Sequence, residues 1–361
     1  MKEELKLMKG NEVLAIAAIR CGADGYFGYP ITPQSEVIET FMEQRPWEST
    51  GMVVLQAESE TASINMVYGG ASCGKKVMTS SSSPGISLMC EGLSYLAGAE
   101  LPCLVVDVSR GGPGLGSIQA SQSDYFQMVK GGGHGDYKMI VLAPNSVQEM
   151  NDFVELGFSL AFKYRIVVAL LADGVIGQMM EKVHLSPIKP RWTDEQIRQI
   201  SPWAVTGKKG RKANLISSLE LDSAVMEKHN HHLQAKYRQI EQDEVRYEAV
   251  QTEDADYLIV AYGISSRISS KVVEDVRARG IRVGLIRPIT LFPFPTEPIA
   301  RVATHCKAIL SVECSAGQMV EDIRLAVNGR CVVSHYGRYG GIIHTPSEVE
   351  AALLELIEDN K

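Results

Sequence analysis

Four short runs hold the residue types best suited to chemistry. Tyr29-Pro-Ile-Thr-Pro33 sets a threonine hydroxyl between two prolines. A residue before proline is driven toward extended backbone, so Tyr29 and Thr32 are both held extended, and Pro30 and Pro33 lack the N–H needed for further pairing. Gln56-Ala-Glu58-Ser-Glu60-Thr-Ala-Ser puts two carboxylates where a helix begins, Thr79-Ser-Ser-Ser-Ser-Pro-Gly85 is a hydroxyl run closing on glycine, and Val106-Asp-Val-Ser-Arg110-Gly-Gly-Pro offers a guanidinium among glycines. Each run has a plain alternative. The threonine fits a proline-rich turn, the carboxylates suit a helix dipole, and a strand-end arginine often only pairs with a surface carboxylate. What sets them apart is that each closes a predicted strand. All four then fall on one sheet edge, the carboxyl edge at which α/β proteins bind ligands.

The elements behind these runs alternate strand and helix. Apolar strands are predicted at 26–31, 52–57, 76–81, 104–109, 140–143 and 166–172, with amphipathic stretches between them such as 12–21, closed by Gly22 as a helix C-cap. Strands apolar throughout suit a parallel sheet covered on both faces. Residues 186–252 break the pattern with Pro187, Pro190 and Pro202, a basic run (Lys208, Lys209, Arg211, Lys212) and a charged helix-like stretch at 223–248, with no strand expected. A second series follows, with strands at 257–262, 283–287, 308–313 and 331–335, intervening helices, and a terminal helix at 347–358. The expected organisation is an α/β domain over 1–185, a linker with a peripheral helix over 186–252, and a smaller four-stranded α/β domain over 253–361.

Other signals fail on inspection. Gly69-Gly-Ala-Ser-Cys-Gly-Lys-Lys76 is one residue from a phosphate loop, but Lys76 stands where a Ser or Thr must reach magnesium, and a helix precedes the loop where a strand should. Gly112-Pro-Gly-Leu-Gly-Ser117 lacks the third glycine of a dinucleotide fingerprint and carries a stiffening Pro113. Gly131-Gly-Gly-His-Gly135 reads as a tight connection. The net charge of −7 argues against nucleic-acid binding, and no apolar run is long enough to span a bilayer. No signal peptide is recognised, so a cytoplasmic location is expected. Seven cysteines without any Cys-x-x-Cys pair argue against an iron–sulfur cluster or zinc within this chain, and His229, His231 and His232 lie in a charged stretch that reads as a solvated helix face.

Taken together, the ordered set Tyr-Pro-Ile-Thr-Pro, Glu-Ser-Glu-Thr-Ala, Thr-Ser-Ser-Ser-Ser-Pro-Gly and Arg-Gly-Gly-Pro resembles the alpha subunit of 2-oxoacid:ferredoxin oxidoreductases. The likeness resumes at Val312-Glu-Cys-Ser-Ala-Gly-Gln-Met319 and Tyr336-Gly-Arg-Tyr-Gly340. It implies that the first domain is the pyrimidine-binding half of a thiamine diphosphate site and that the second is like the transketolase C-terminal domain. A beta subunit would then supply the diphosphate and Mg2+ contacts, and small subunits the iron–sulfur clusters, in a hetero-oligomer with a dimeric core that serves ferredoxin and coenzyme A.

The resemblance also implies roles. Glu60, with Glu58 as the alternative, matches the acid that hydrogen-bonds the cofactor's pyrimidine nitrogen N1′ and promotes its imino tautomer. Arg110 matches the substrate-carboxylate position, where a planar fork meets two oxygens. Thr32 matches the hydroxyl that touches substrate, while Tyr29, Pro30, Ser82, Ser83 and Gly85 fall at cofactor-binding positions. The Arg110 loop and Gln122-Ser-Asp-Tyr-Phe126 look like the branched-chain (2-oxoisovalerate, 3-methyl-2-oxobutanoate) version. A 2-oxoglutarate enzyme needs a partner for the second carboxylate; Leu115 offers none, although Lys130 is within sequence reach. A non-catalytic scaffold paralogue and a lipoamide-linked dehydrogenase are further alternatives; the presence of Glu60 and Arg110 disfavours the first.

Overall fold

The computed structural model describes residues 4–360. In chain order its strands are β1 (Leu5–Lys9), β2 (Gly25–Gly28), β3 (Val53–Gln56), β4 (Val77–Ser81), β5 (Cys103–Ser109), β6 (Ile140–Leu142), β7 (Val167–Asp173), β8 (Met180–His184), β9 (Tyr247–Val250), β10 (Tyr257–Val260), β11 (Val283–Pro288), β12 (Thr290–Phe292), β13 (Ala308–Glu313) and β14 (Val332–Gly337). The helices are α1 (Gly10–Arg20), α2 (Ser35–Gln44), α3 (Pro46–Ser49), α4 (Glu60–Ser72), α5 (Ser83–Gly98), α6 (Val147–Tyr164), α7 (Gly174–Gln178), α8 (Asp194–Ile200), α9 (Ser223–Asp243), α10 (Gly263–Arg277), α11 (Thr296–Val302), α12 (Met319–Val327) and α13 (Pro346–Asp359). A π-helical turn spans Phe126–Gly131.

β5 and β7 are buried along their whole length, as their continuous apolar runs require of strands covered on both faces. They lie in a seven-stranded sheet of order β12-β6-β7-β5-β4-β2-β3. Every pair in it is parallel except β12–β6. The chain steps from β2 outward to β3, then crosses back over β2 to β4. This reversal makes a crevice at the carboxyl ends of β2 and β4, the switch point at which such sheets bind ligands. α1 is held at both ends as its sequence implies: Lys9 N–H donates to Glu12 Oε2 (2.9 Å), and Gly22 beyond its C-terminus takes a φ of 73°.

The second sheet, β14-β13-β10-β11-β9, has five strands, not four. β9 pairs antiparallel with β11 and comes from the segment expected to lack strands. Its Tyr-Glu-Ala-Val run is too short and too charged to announce itself. Strand alternation splits this sheet between two cores. Leu258, Val260, Ile286 and Ile309 join the core shared with the first sheet, while Ile259, Leu285 and Leu310 pack with Val272, Val276, Val349 and Leu353 on the other face.

Two further pairings escape sequence reading. β1 and β8 form an antiparallel ribbon. β12, three residues between prolines, leaves the second half of the chain to edge the first sheet beside β6. Proline demotes such a run to an edge strand, where only tertiary packing selects its partner. α9 is not merely a solvated rod. Leu233, Tyr237 and Ile240 are buried against the first domain, His229 Nε2 meets the Gly98 carbonyl at 2.8 Å, and Lys236 pairs with Glu100.

Candidate active site at the strand ends

The loop after β2 is fixed from behind. The Pro33 carbonyl accepts from Asn11 Nδ2 (2.7 Å) and Gln178 Nε2 (2.8 Å), and Gln34 Oε1 accepts from Ser80 Oγ (2.6 Å). These anchors leave Thr32 exposed at the crest and Tyr29 and Pro30 half-buried beside it.

α4 starts at Glu60, with Ser59 as N-cap accepting from Ala62 N–H (3.2 Å). Glu60 is 5% exposed, and among the described residues its carboxylate has no hydrogen bond or ion pair. Glu58 is exposed and meets only Ser59 Oγ at 3.3 Å. The two acids that sequence reading left as alternatives are therefore in opposite settings. Gly85, in the first turn of α5, lies against Glu60: a Cβ there would fall 2.1 Å from Ser81 Oγ and 2.6 Å from Glu60 Oε1. Only glycine allows this approach.

The serine run is buried throughout, and its members differ. Ser81 and Ser82 keep hydroxyls without a partner. Ser83, which the resemblance puts at a cofactor-binding position, has its N–H and hydroxyl engaged within the chain. Its N–H donates to Asp107 Oδ1 (3.2 Å), its hydroxyl donates to Asp124 Oδ2, and that hydroxyl oxygen accepts from Arg110 N–H (2.9 Å). Ser83 thus ties the α5 start to the Arg110 strand end.

Arg110 is 8% exposed. Its Nη1 donates to the Thr32 carbonyl (2.8 Å) and its Nη2 to the Leu115 carbonyl (2.8 Å), while Nε is buried without a partner. The guanidinium therefore bridges the Thr32 loop and its own loop, and brings two expected site residues together. The glycines of that loop are required by space: a Cβ on Gly116 would meet the Gly111 carbonyl oxygen at 1.7 Å. The second domain closes on the same loop, with Ser117 Oγ donating to the Gly340 carbonyl (3.0 Å) and Gly111 against Gly340 and Gly341. The Tyr336-Gly-Arg-Tyr-Gly340 run thus acts as the support of the Arg110 loop.

Sequence reading missed Asp107 and Asp124, both buried beneath Ser83. Burial, then the neighbouring Asp124, pushes the Asp107 carboxyl well above the usual range. Burial also raises Asp124, against the opposing pull of the Ser83 hydroxyl and Arg110. Both stand in quoted runs: Asp107 is an acid in an otherwise apolar strand, which is the available signal, whereas nothing in Gln122-Ser-Asp-Tyr-Phe126 marks Asp124 as buried.

The domains are joined by buried polar contacts. Gln122 Oε1 accepts from Ser265 Oγ (2.6 Å) and Cys314 N–H (2.8 Å), and Asp173 Oδ2 accepts from Ile264 N–H (2.8 Å). Glu313, in the Val312–Met319 run, is fully buried and accepts the N–H groups of Gln318, Met319 and Val320 at the start of α12. Lys130 is spent across the same joint on Asp322. Lys76, of the failed phosphate loop, is buried with Nζ donating to the Cys21 carbonyl (2.9 Å). A cavity of about 700 Å3 lined by Lys130, Lys138, Phe292, Phe294 and Asp322 lies apart from the four runs.

Comparison with known proteins is consistent with this arrangement. The model of the thiamine diphosphate-binding domain of pyruvate flavodoxin/ferredoxin oxidoreductases matches residues 16–254, and that of pyruvate:ferredoxin oxidoreductase core domain II matches 255–349. Ketoisovalerate oxidoreductase subunit VorB of Methanothermobacter marburgensis is 51% identical over 336 residues, 93% of each chain. The structure of 2-oxoglutarate:ferredoxin oxidoreductase from Magnetococcus marinus, solved with 2-oxoglutarate, coenzyme A and succinyl-CoA bound, superposes with a TM-score of 0.86 at 29% identity, covering 98% of this chain and 66% of that one. A split-gene transketolase shares the fold alone, with a TM-score of 0.61 at 13% identity, covering 98% and 99%. The chain belongs to the 2-oxoacid:ferredoxin oxidoreductase family, and its identity to the ketoisovalerate oxidoreductase subunit exceeds its identity to the 2-oxoglutarate enzyme.

Proposed function

We propose that this chain is the alpha subunit of a thiamine-diphosphate-dependent 2-oxoacid:ferredoxin oxidoreductase that oxidatively decarboxylates 2-oxoisovalerate to its acyl-CoA, passing electrons to ferredoxin. The observation that carries the reading is the pairing of a buried carboxylate without a partner, Glu60, with the hydrogen-bonded Arg110–Thr32 pair across one sheet-edge crevice. Most of the Glu60 side chain is packed away while its unpaired carboxylate is not sealed from solvent, which leaves it available to a bound group. The set fits thiamine diphosphate: an acceptor for N1′, the buried hydroxyls of Ser81 and Ser82, and a close approach at Gly85.

When bound, thiamine diphosphate supplies a carbon nucleophile at C2 for the 2-oxo carbon. Glu60 would accept the hydrogen bond from N1′ and favour its protonated form, with Gly85 keeping side chains away from the Glu60 carboxylate. Tyr29 and Pro30 wall the crevice. Arg110 would meet the substrate carboxylate with the N–H groups of its terminal nitrogens that the Thr32 and Leu115 carbonyls leave free, and its bond to the Thr32 carbonyl brings that residue beside it. The diphosphate, Mg2+ and the iron–sulfur clusters are assigned to beta and small subunits, since no sequence motif for them is found here. Coenzyme A and ferredoxin act through that complex, in the cytoplasm.

The 2-oxoglutarate alternative needs a second cation, and Lys130 is already engaged by Asp322. The complex purified with its neighbouring chains, assayed for coenzyme A-dependent dye reduction, tests the reading. 2-Oxoisovalerate is expected to outpace 2-oxoglutarate and pyruvate, and preferential use of 2-oxoglutarate would reassign the substrate.

A further inference from the structure

Asp107 and Asp124 clamp one residue from two sides. Asp107 is fully buried at the end of β5, and its Oδ1 takes the first N–H of α5 at Ser83 (3.2 Å). Asp124, from the loop before the π-helical turn, takes the Ser83 hydroxyl on Oδ2. The Ser83 oxygen in turn receives the Arg110 N–H at 2.9 Å. One serine therefore holds together the α5 start, which carries Gly85 against Glu60, and the strand end that carries the guanidinium.

Two ionised carboxylates gathered on one buried serine repel each other in a medium that cannot screen them, and one of them must hold a proton. The surroundings say which. Asp107 Oδ2 is buried with no partner, an orphan that a proton would turn into a donor. Asp124 already serves as acceptor for a hydroxyl and feels the Arg110 cation, which favours its charged form. The Arg110 cation favours the charged form of Asp124, whereas only the Ser83 N–H opposes the burial of Asp107.

We propose that Asp107 is protonated at neutral pH and donates from Oδ2 to the Asp124 carboxylate, and that this proton-sharing pair is a positioning device holding Ser83 and Arg110 in register for the reaction. The pair touches no ligand. It acts through Ser83, so it rests on the functional reading only in that Arg110 and the α5 start belong to the site.

The assignment separates substitutions that differ by a single atom. Asn at 107 keeps the acceptor for Ser83 N–H and presents N–H where the acid presents O–H. Asn at 124 sets an amide donor against the Asp107 donor and leaves one acceptor for two hydrogen bonds. In the assembled complex, Asp107→Ala is expected to raise the KM for the 2-oxoacid roughly tenfold, the scale of one lost hydrogen bond to a charged group, and Asp107→Asn to restore it to within about twofold. Asp124→Asn is expected to behave like Asp107→Ala. Infrared difference spectra at pH 7.5 give a readout independent of turnover and substrate. Wild type should show a protonated carboxyl stretch that is lost in Asp107→Asn and kept in Asp124→Asn. A wild-type spectrum without that band, a band lost only in Asp124→Asn, or an Asp107→Asn protein that fails to fold or matches Asp107→Ala would each overturn the proposal. Intact infrared behaviour with no 2-oxoacid turnover would instead fault the functional reading alone.

Discussion

Replacing Glu60 by Gln isolates one charge at nearly constant volume, and the structure separates its two consequences. Glu60 makes no hydrogen bond or ion pair among the described residues, so the amide orphans no partner within the chain. The loss to folding is the favourable interaction of an acid in the first turn of α4, about 0.3–1 kcal/mol. The net change should lie within about 1 kcal/mol, a shift in Tm of only about 2–4 °C for a domain of this size. A neutral amide does not hold the N1′ proton as a carboxylate does, and removing a positioned acid or base of this kind costs on the order of 10²–10⁴-fold in rate. The assay is hydrogen–deuterium exchange at C2 of thiamine diphosphate in the assembled complex, run beside a thermal melt. Slow exchange with a near-native melt is the expected pair. Exchange at the wild-type rate would refute the reasoning, and a loss appearing instead in Glu58→Gln would move the role to an acid that the fold leaves in solvent.

Three other outcomes follow from the same geometry. Arg110→Lys keeps the charge but loses the fork that reaches both the Thr32 and Leu115 carbonyls, so the KM for 2-oxoisovalerate should rise roughly tenfold or more; calorimetry should find thiamine diphosphate binding unchanged. Gly85→Ala drives a methyl into Ser81 Oγ and Glu60 Oε1, and should abolish cofactor activation by C2 exchange while circular dichroism stays native. Asp173 caps α7 and accepts from Ile264 across the domain joint, and burial lifts its carboxyl to about 6 against 3.8. A group that holds its proton more tightly when folded stabilises fully below its unfolded pKa and loses that contribution as pH climbs through the folded one. Urea titrations should therefore show wild type losing stability relative to Asp173→Asn between pH 4 and 6, and a flat difference would show that three backbone N–H donors outweigh burial.

Much of the scaffold was readable because period and order are local properties. Buried runs such as Cys103–Ser109 admit only a doubly covered strand, and four polar runs at successive strand ends must share an edge whatever the side-chain details. The same rule gathered the runs that hold Thr32, Glu58, Glu60 and Arg110, and the family resemblance implied their roles. It left Glu58 and Glu60 open, because two residues apart at a helix start says nothing about which one turns inward. Burial of Glu60 beneath Gly85 and exposure of Glu58 belong to the packing of α4 on α5.

What only the tertiary structure decided are contacts between groups far apart in the chain. Arg110 meets the Thr32 carbonyl across 78 residues and Ser83 meets Asp124 across 41. Such bonds depend on strand register and loop path, which a one-dimensional pattern does not encode. That is why the tie from Ser83 to Arg110 and Asp124 is not legible in the serine run, and why Asp124 stands in a quoted run without a sign of its partner. β12 makes the same point for the backbone. Its three residues carry too little periodicity to choose a sheet, and the choice falls to the free edge of β6 once both domains have packed.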